Sequence, residues 1–191
     1  MSQGLAAGFA DPVTDAQRCF RAVLDAMSHP GRVMRIAGVT PPPPLCIAAG
    51  AVLLSLVDHE TPLWLDPDIG AARHWIAFHC GAPILPDPMA SAFALTMGLP
   101  DLVAFPAGTH ESPEHSATLI CQIAALDDGP SWRLSGPGLR EPFTLRAAGL
   151  PANFAALWRA NHALFPRGVD LILCAGDRLT ALPRTVSIEE I

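Results

Sequence analysis

The densest group of side chains suited to chemistry is His110-Glu111-Ser112-Pro113-Glu114-His115, which brings imidazoles and carboxylates of the kind that hold zinc into one short stretch. A zinc-protease helix sets its two histidines four apart on one face. Here they are five apart, and Pro113 interrupts the helix that such a site needs, so the spacing predicts an exposed polar loop and no metal. Asp58-His59-Glu60 reads as the end of a helix in place of a ligand set. Ser28-His29 offers a hydroxyl beside a base, but the side chains of adjacent residues generally point apart, and Ser28 is expected to serve a turn. There is no Gly-x-Ser-x-Gly nucleophile elbow. Arg184-Thr185, which follow an apolar run and Pro183, are the strongest anion-binding candidates, since a guanidinium fork and a hydroxyl match an oxyanion. The competing role for Arg184 is an ion pair with a carboxylate such as Asp170, and this structural role is the favoured one.

All 12 basic residues are arginines, and this excludes every mechanism that needs a lysine amine. A covalently held pyridoxal phosphate, a lysine base and a P-loop with its phosphate lysine all fall away. Any phosphate or phosphonate contact must use arginine, backbone amides or hydroxyls. A net charge of -6 and the lack of tyrosine argue against nucleic acid, which needs a basic field and stacking platforms. The five cysteines are scattered, flanked by apolar residues and without a Cys-x-x-Cys pair, so they read as buried core thiols of a cytoplasmic protein, with no cofactor. Residues 1–4 lack a basic region followed by an apolar core, and the apolar stretch 45–57 is too short to cross a bilayer; the expectation is a soluble protein outside the membrane. Hydrophobic residues make up 50% of the chain and charged ones 16%, a balance that predicts surface covered by other chains.

The elements that must position these side chains follow from periodicity. Ala16, Cys19, Phe20, Val23, Leu24 and Met27 repeat at helical spacing, with Thr14 and Gln17 read as a capping box and Asp15 favouring the first turn. Pro30 and Gly31 end this helix at about Ser28. Its other face carries Arg18, Arg21 and Asp25, either a solvated face with Arg21 and Asp25 paired at i, i+4 or a docking surface for a partner. Short strands are expected at 33–36, 62–65, 75–79 and 93–95, and a long buried one at 117–126. Helices are expected over 45–58, 71–75 and 152–164. Residues 131–134 and 143–145 read as neighbouring strands joined through Gly136-Pro137-Gly138, and 169–174 with 178–182 as a hairpin turning at 175–177. The whole implies one α/β domain over residues 1–191, with a mixed central sheet flanked by helices.

Phe20-Arg21-x-x-Leu24-x-Ala26-Met27-Ser28-x-Pro30-Gly31 and Pro183-Arg184-Thr185 resemble signatures of the PhnH family of the bacterial carbon-phosphorus lyase system. The resemblance continues in order through Thr61-Pro62-Leu63-Trp64-Leu65, Phe78-His79, Ala82-Pro83, Pro113-Glu114 leading into Ala117-Thr118-Leu119-Ile120, Phe165-Pro166, and Gly168-Val169-Asp170-Leu171-Ile172-Leu173. It implies a homodimer-forming fold similar to the pyridoxal-phosphate-dependent transferases but without their cofactor. It also implies partner subunits PhnG, PhnI and PhnJ in a complex that makes ribose 1-phosphonate 5-triphosphate from ATP and an alkylphosphonate and later breaks the carbon-phosphorus bond. The radical step needs an iron-sulfur cluster, and the scattered cysteines here do not supply one. On this reading the chain is a non-catalytic subunit acting by assembly, with Arg21, Ser28, Pro30 and Gly31 as turn or partner-contact residues. The alternative is a stand-alone protein or enzyme that binds phosphonate or nucleotide phosphate through Arg184 and Thr185.

Overall fold

The computed structural model describes residues 6–191. The 1–4 segment read above as no leader lies outside them. In chain order the elements are α1 (Pro12–Ser28), β1 (Met34–Arg35), α2 (Ile47–Leu56), β2 (Leu63–Leu65), α3 (Ala72–Cys80), β3 (Ile84–Leu85), β4 (Phe93–Met97), β5 (Thr118–Gln122), β6 (Ala125–Ser135), β7 (Phe143–Ala148), α4 (Phe154–His162), β8 (Asp170–Ala175), β9 (Arg178–Leu182) and β10 (Ser187–Glu190). Among the described residues they build a seven-stranded sheet in the order β1-β9-β8-β5-β4-β2-β3 and a three-stranded sheet in the order β10-β6-β7. The stretch from β8 to β3 is parallel, β9 runs antiparallel to β8, and β1 antiparallel to β9, so the large sheet is mixed.

Both faces of that sheet are covered, which is why its strands read as unbroken apolar runs. Leu63, Leu95, Ile120, Ile172 and Leu179 point to one side and pack with Cys19 and Val23 of α1, Val52 and Leu53 of α2, and Trp75 and Ile76 of α3. Leu119, Cys121, Leu171, Leu173 and Leu182 point to the other, against Trp132, Leu134 and Leu145 of the small sheet and Phe154 and Trp158 of α4. The period-2 alternation of each strand thus feeds two separate cores.

Several local expectations are corrected. The cap of α1 is Asp11, three residues earlier than Thr14: its carboxylate accepts the Thr14 amide at 3.2 Å, while Asp15 reaches back to the Asp11 amide at 3.0 Å. Hydrogen bonds from the Thr14 side chain and amide hold the Asp11 carboxyl below its ordinary value, so this cap is complete at neutral pH and is lost as acid protonates it. Phe20 and Leu24, placed on the core face by spacing alone, are 48% and 56% exposed; the core takes Ala22 and Ala26 instead. Residues 75–79 are not a strand but the body of α3. Its aromatic run was too short to distinguish the two periods. The helix closes on Gly81, whose φ of 65° permits the left-handed cap, with its amide on the Ala77 carbonyl at 3.1 Å. The 117–126 run divides as well, because the chain leaves the large sheet after Gln122 and enters the small one at Ala125.

Candidate functional site

The Pro183-Arg184-Thr185 segment follows directly on β9 and is held from three sides. Asp170 opens β8, antiparallel to β9, and therefore faces the residues just past the far end of the hairpin. Its Oδ1 accepts the Arg184 amide at 2.7 Å and Nε at 3.1 Å, its Oδ2 accepts Nη2, and Nη1 of Arg184 donates to the Pro113 carbonyl at 2.9 Å. The two side chains are 15% and 12% exposed, so this bidentate pair is largely withdrawn from water. The Arg184–Asp170 pairing expected from the hairpin is present. Thr185 lies beside it, half-buried.

The third side is α4. Trp158 donates its indole N–H to the Val186 carbonyl at 2.7 Å, and His162 Nδ1 lies 2.8 Å from the Arg184 carbonyl. A carbonyl only accepts, so that nitrogen carries a proton. The other nitrogen of His162 stands 3.3 Å from the Ser187 hydroxyl, and Asn161 exchanges two 2.9 Å hydrogen bonds with the Val169 backbone. Sequence reasoning missed His162 and Asn161 because α4 was read only for its apolar face, and Ser187 because no strand was expected beyond 178–182. The one sequence signal was a polar Asn161 at a helix position that turns out to be 5% exposed. A serine on a histidine has the outline of a nucleophile and its base. Here, however, the imidazole is oriented by a neutral carbonyl, which cannot stabilise an imidazolium as a carboxylate does, and the group works as a fastener between α4 and β10.

Ser28 and His29 do touch, contrary to the expectation that they point apart: Oγ lies 3.1 Å from Nδ1. The Asp25 carboxylate lies 3.1 Å from the same nitrogen. A relay needs hydroxyl and carboxylate on opposite ring nitrogens, so this cluster is no triad. Asp25 also pairs with Arg32 at 3.2 Å and leaves Arg21 exposed, because the turn after α1 carries Arg32 back alongside the helix end. Pro30 and Gly31 are buried in that turn. The Gly31 amide bonds the Ala181 carbonyl of β9 at 3.2 Å, and at its φ of 84° an added Cβ would stand 2.6 Å from Leu134 of the small sheet. The turn therefore spans both sheets, and only glycine fits there.

His110 and His115 lie apart from this network; the latter ends a 3-10 turn, Pro113–His115, whose first carbonyl receives Arg184. Four of the cysteines are buried, but Cys46 is half-buried and caps α2, its sulfur accepting the Ala49 amide at 3.4 Å. Burial raises the pKa of every thiol, to about 12 for Cys80 and Cys121. Since the thiolate is the reactive form, a disulfide reagent at pH 8 is expected to modify no thiol but Cys46 promptly in the native protein, and all five after denaturation. Prompt stoichiometric labelling of two or more native thiols would contradict this.

The family profile described as bacterial phosphonate metabolism protein (PhnH) matches residues 7–189. A protein of Rhizobium meliloti (strain 1021), named alpha-D-ribose 1-methylphosphonate 5-triphosphate synthase subunit PhnH, is 41% identical over 194 residues, which cover 98% of this chain and 97% of that protein. A protein of Stutzerimonas stutzeri, named putative C-P lyase subunit protein HtxG, is 34% identical over 173 residues, covering 90% of this chain and 85% of its own length. Among the described residues no helix is long and apolar enough to cross a membrane, and no group of three or more His, Cys, Asp or Glu stands ready for a metal. The matched span runs from before α1 to the last strand and takes in both the 28–31 turn and the clamped Arg184, so the chain belongs to the PhnH family of bacterial phosphonate metabolism proteins.

Proposed function

We propose that this chain is a subunit of the carbon-phosphorus lyase core complex, supporting the synthesis of ribose 1-phosphonate 5-triphosphate from ATP and an alkylphosphonate. The observation that carries the reading is the 41% identity, over nearly the full length of both chains, to a subunit named for that synthase. Its role is assembly, without a reaction of its own. In support, the polar side chains with the best chemical credentials are already engaged: the Arg184 guanidinium holds Asp170 and the Pro113 carbonyl, and His162 fastens the backbone of Arg184.

The finer parts of the reading go with it. The chain acts as one domain, in the cytoplasm, with PhnG, PhnI and PhnJ as partners, and forms a homodimer when isolated. Its mixed, mainly parallel sheet is in keeping with a fold similar to the pyridoxal-phosphate-dependent transferases, while the lack of lysine removes the amine on which their cofactor is carried. Deleting the gene is expected to abolish growth on an alkylphosphonate as sole phosphorus source and to leave growth on inorganic phosphate unchanged. Unimpaired alkylphosphonate use in a clean deletion strain refutes the assignment.

A further inference from the structure

Beside the Arg184 network, an apolar groove of about 510 Å³ opens along α4. One wall is α4 and the turn that follows it: Leu157 and Ala160 stand at i, i+3 on the helix, and Leu164 lies just past its end; the other wall holds Met89, Leu102 and Val103. Val103 is 76% exposed and Met89 50%, a surface cost that a lone soluble chain avoids. The lining cannot recognise a phosphonate or a nucleotide. Its polar members are Asp101 and Asn161, and the Asn161 amide is spent at both ends on Val169.

The rim is acidic. Asp101 caps the turn that carries Val103, accepting its amide at 3.3 Å, and Asp87 caps the turn that carries Met89, accepting its amide at 2.9 Å. Neither carboxylate has an ion-pair partner among the described residues. We propose that this groove seats an amphipathic helix of another subunit, which lays an apolar face between α4 and the Met89–Val103 wall and sets a lysine or arginine against Asp101. This rests on the reading above that the chain works within a multi-subunit complex. The Leu157–Ala160 row of α4, extended by Leu164 in the following turn, is a surface on which a second helix packs, with apolar anchors at matching spacing. A second copy of this chain fits less well, because it offers no lysine and brings a second net charge of -6 to a groove whose lining charge is the Asp101 carboxylate.

The test is co-expression of the full chain with PhnG, PhnI and PhnJ, comparing the wild type with Val103→Asp and Asp101→Lys. Val103 is exposed, so Val103→Asp should leave the melting temperature of the isolated chain unchanged while recovery of the partners falls about tenfold or more, as expected when a central apolar anchor is lost. Asp101→Lys should weaken recovery in the same direction by charge reversal, and a photo-crosslinker at position 103 should join a partner helix bearing a basic residue. If wild type and Val103→Asp recover the partners equally, the groove is not the docking site and the assembly reading stands. If the wild type recovers none, the assembly reading fails and the groove proposal with it. If Val103→Asp changes only the mass of the isolated chain by light scattering, the occupant is a second copy and the proposal is overturned.

Discussion

Arg184→Ala is expected to destabilise the chain by about 3 to 5 kcal/mol, because it leaves the Asp170 carboxylate largely buried without its counter-charge. For a domain of this size that corresponds to a melting temperature lower by roughly 6 to 20 °C. The loss is larger than for a surface pair, whose typical worth is under about 1 kcal/mol, since both partners here are mostly withdrawn from water and the Pro113 carbonyl loses its donor too. Replacing both Arg184 and Asp170 with leucine should cost much less than Arg184→Ala alone, because no unpaired charge is left behind. Assembly with partner subunits should fail together with the fold in Arg184→Ala. The outcome that sinks this is an Arg184→Ala protein with unchanged melting temperature and intact assembly but no phosphonate turnover; that result would make Arg184, with Thr185 beside it, a binder of substrate anion.

Arg184 and Asp170 could be paired from the sequence because a tight hairpin fixes their register: β8 and β9 are joined by two residues, and each step along one strand is matched on the other. The parallel strands were legible for a similar reason, since burial on both faces leaves continuous runs such as Leu63–Leu65 and the first part of 117–126. Contacts that depend on two distant segments left no local trace. His162 meets Arg184 and Ser187 across 22 and 25 residues, and β10 joins β6 with Ser187 opposite Ser135. Phe20 and Leu24 mislead because helical spacing identifies a face without saying what covers it. Their exposure in the isolated chain is a fact about its surroundings that no periodicity encodes.

Trp158→Ala is expected to be as costly as the loss of Arg184, for a different reason. The indole is fully buried beneath the segment that leads into β10, where it fills the core shared with Phe154, Trp132 and Ile188 and donates to the Val186 carbonyl. Truncation to alanine removes the packing and leaves a cavity, a loss of about 3 to 5 kcal/mol. Trp158→Phe separates the two contributions. It keeps most of the apolar volume but orphans the carbonyl, so a loss of about 1 to 3 kcal/mol is expected by denaturant unfolding. The position of the damage is also specified: Val186 immediately precedes β10, so hydrogen exchange should quicken first at the amides that pair β10 with β6 and only weakly in β4 and β5. A Trp158→Phe protein of wild-type stability, with β10 protected as before, would mean that the indole N–H does not hold this segment. In that case the clamp on this segment would reduce to Asp170, the Pro113 carbonyl and His162, and of the α4 contacts His162→Ala should then carry the larger share of the loss.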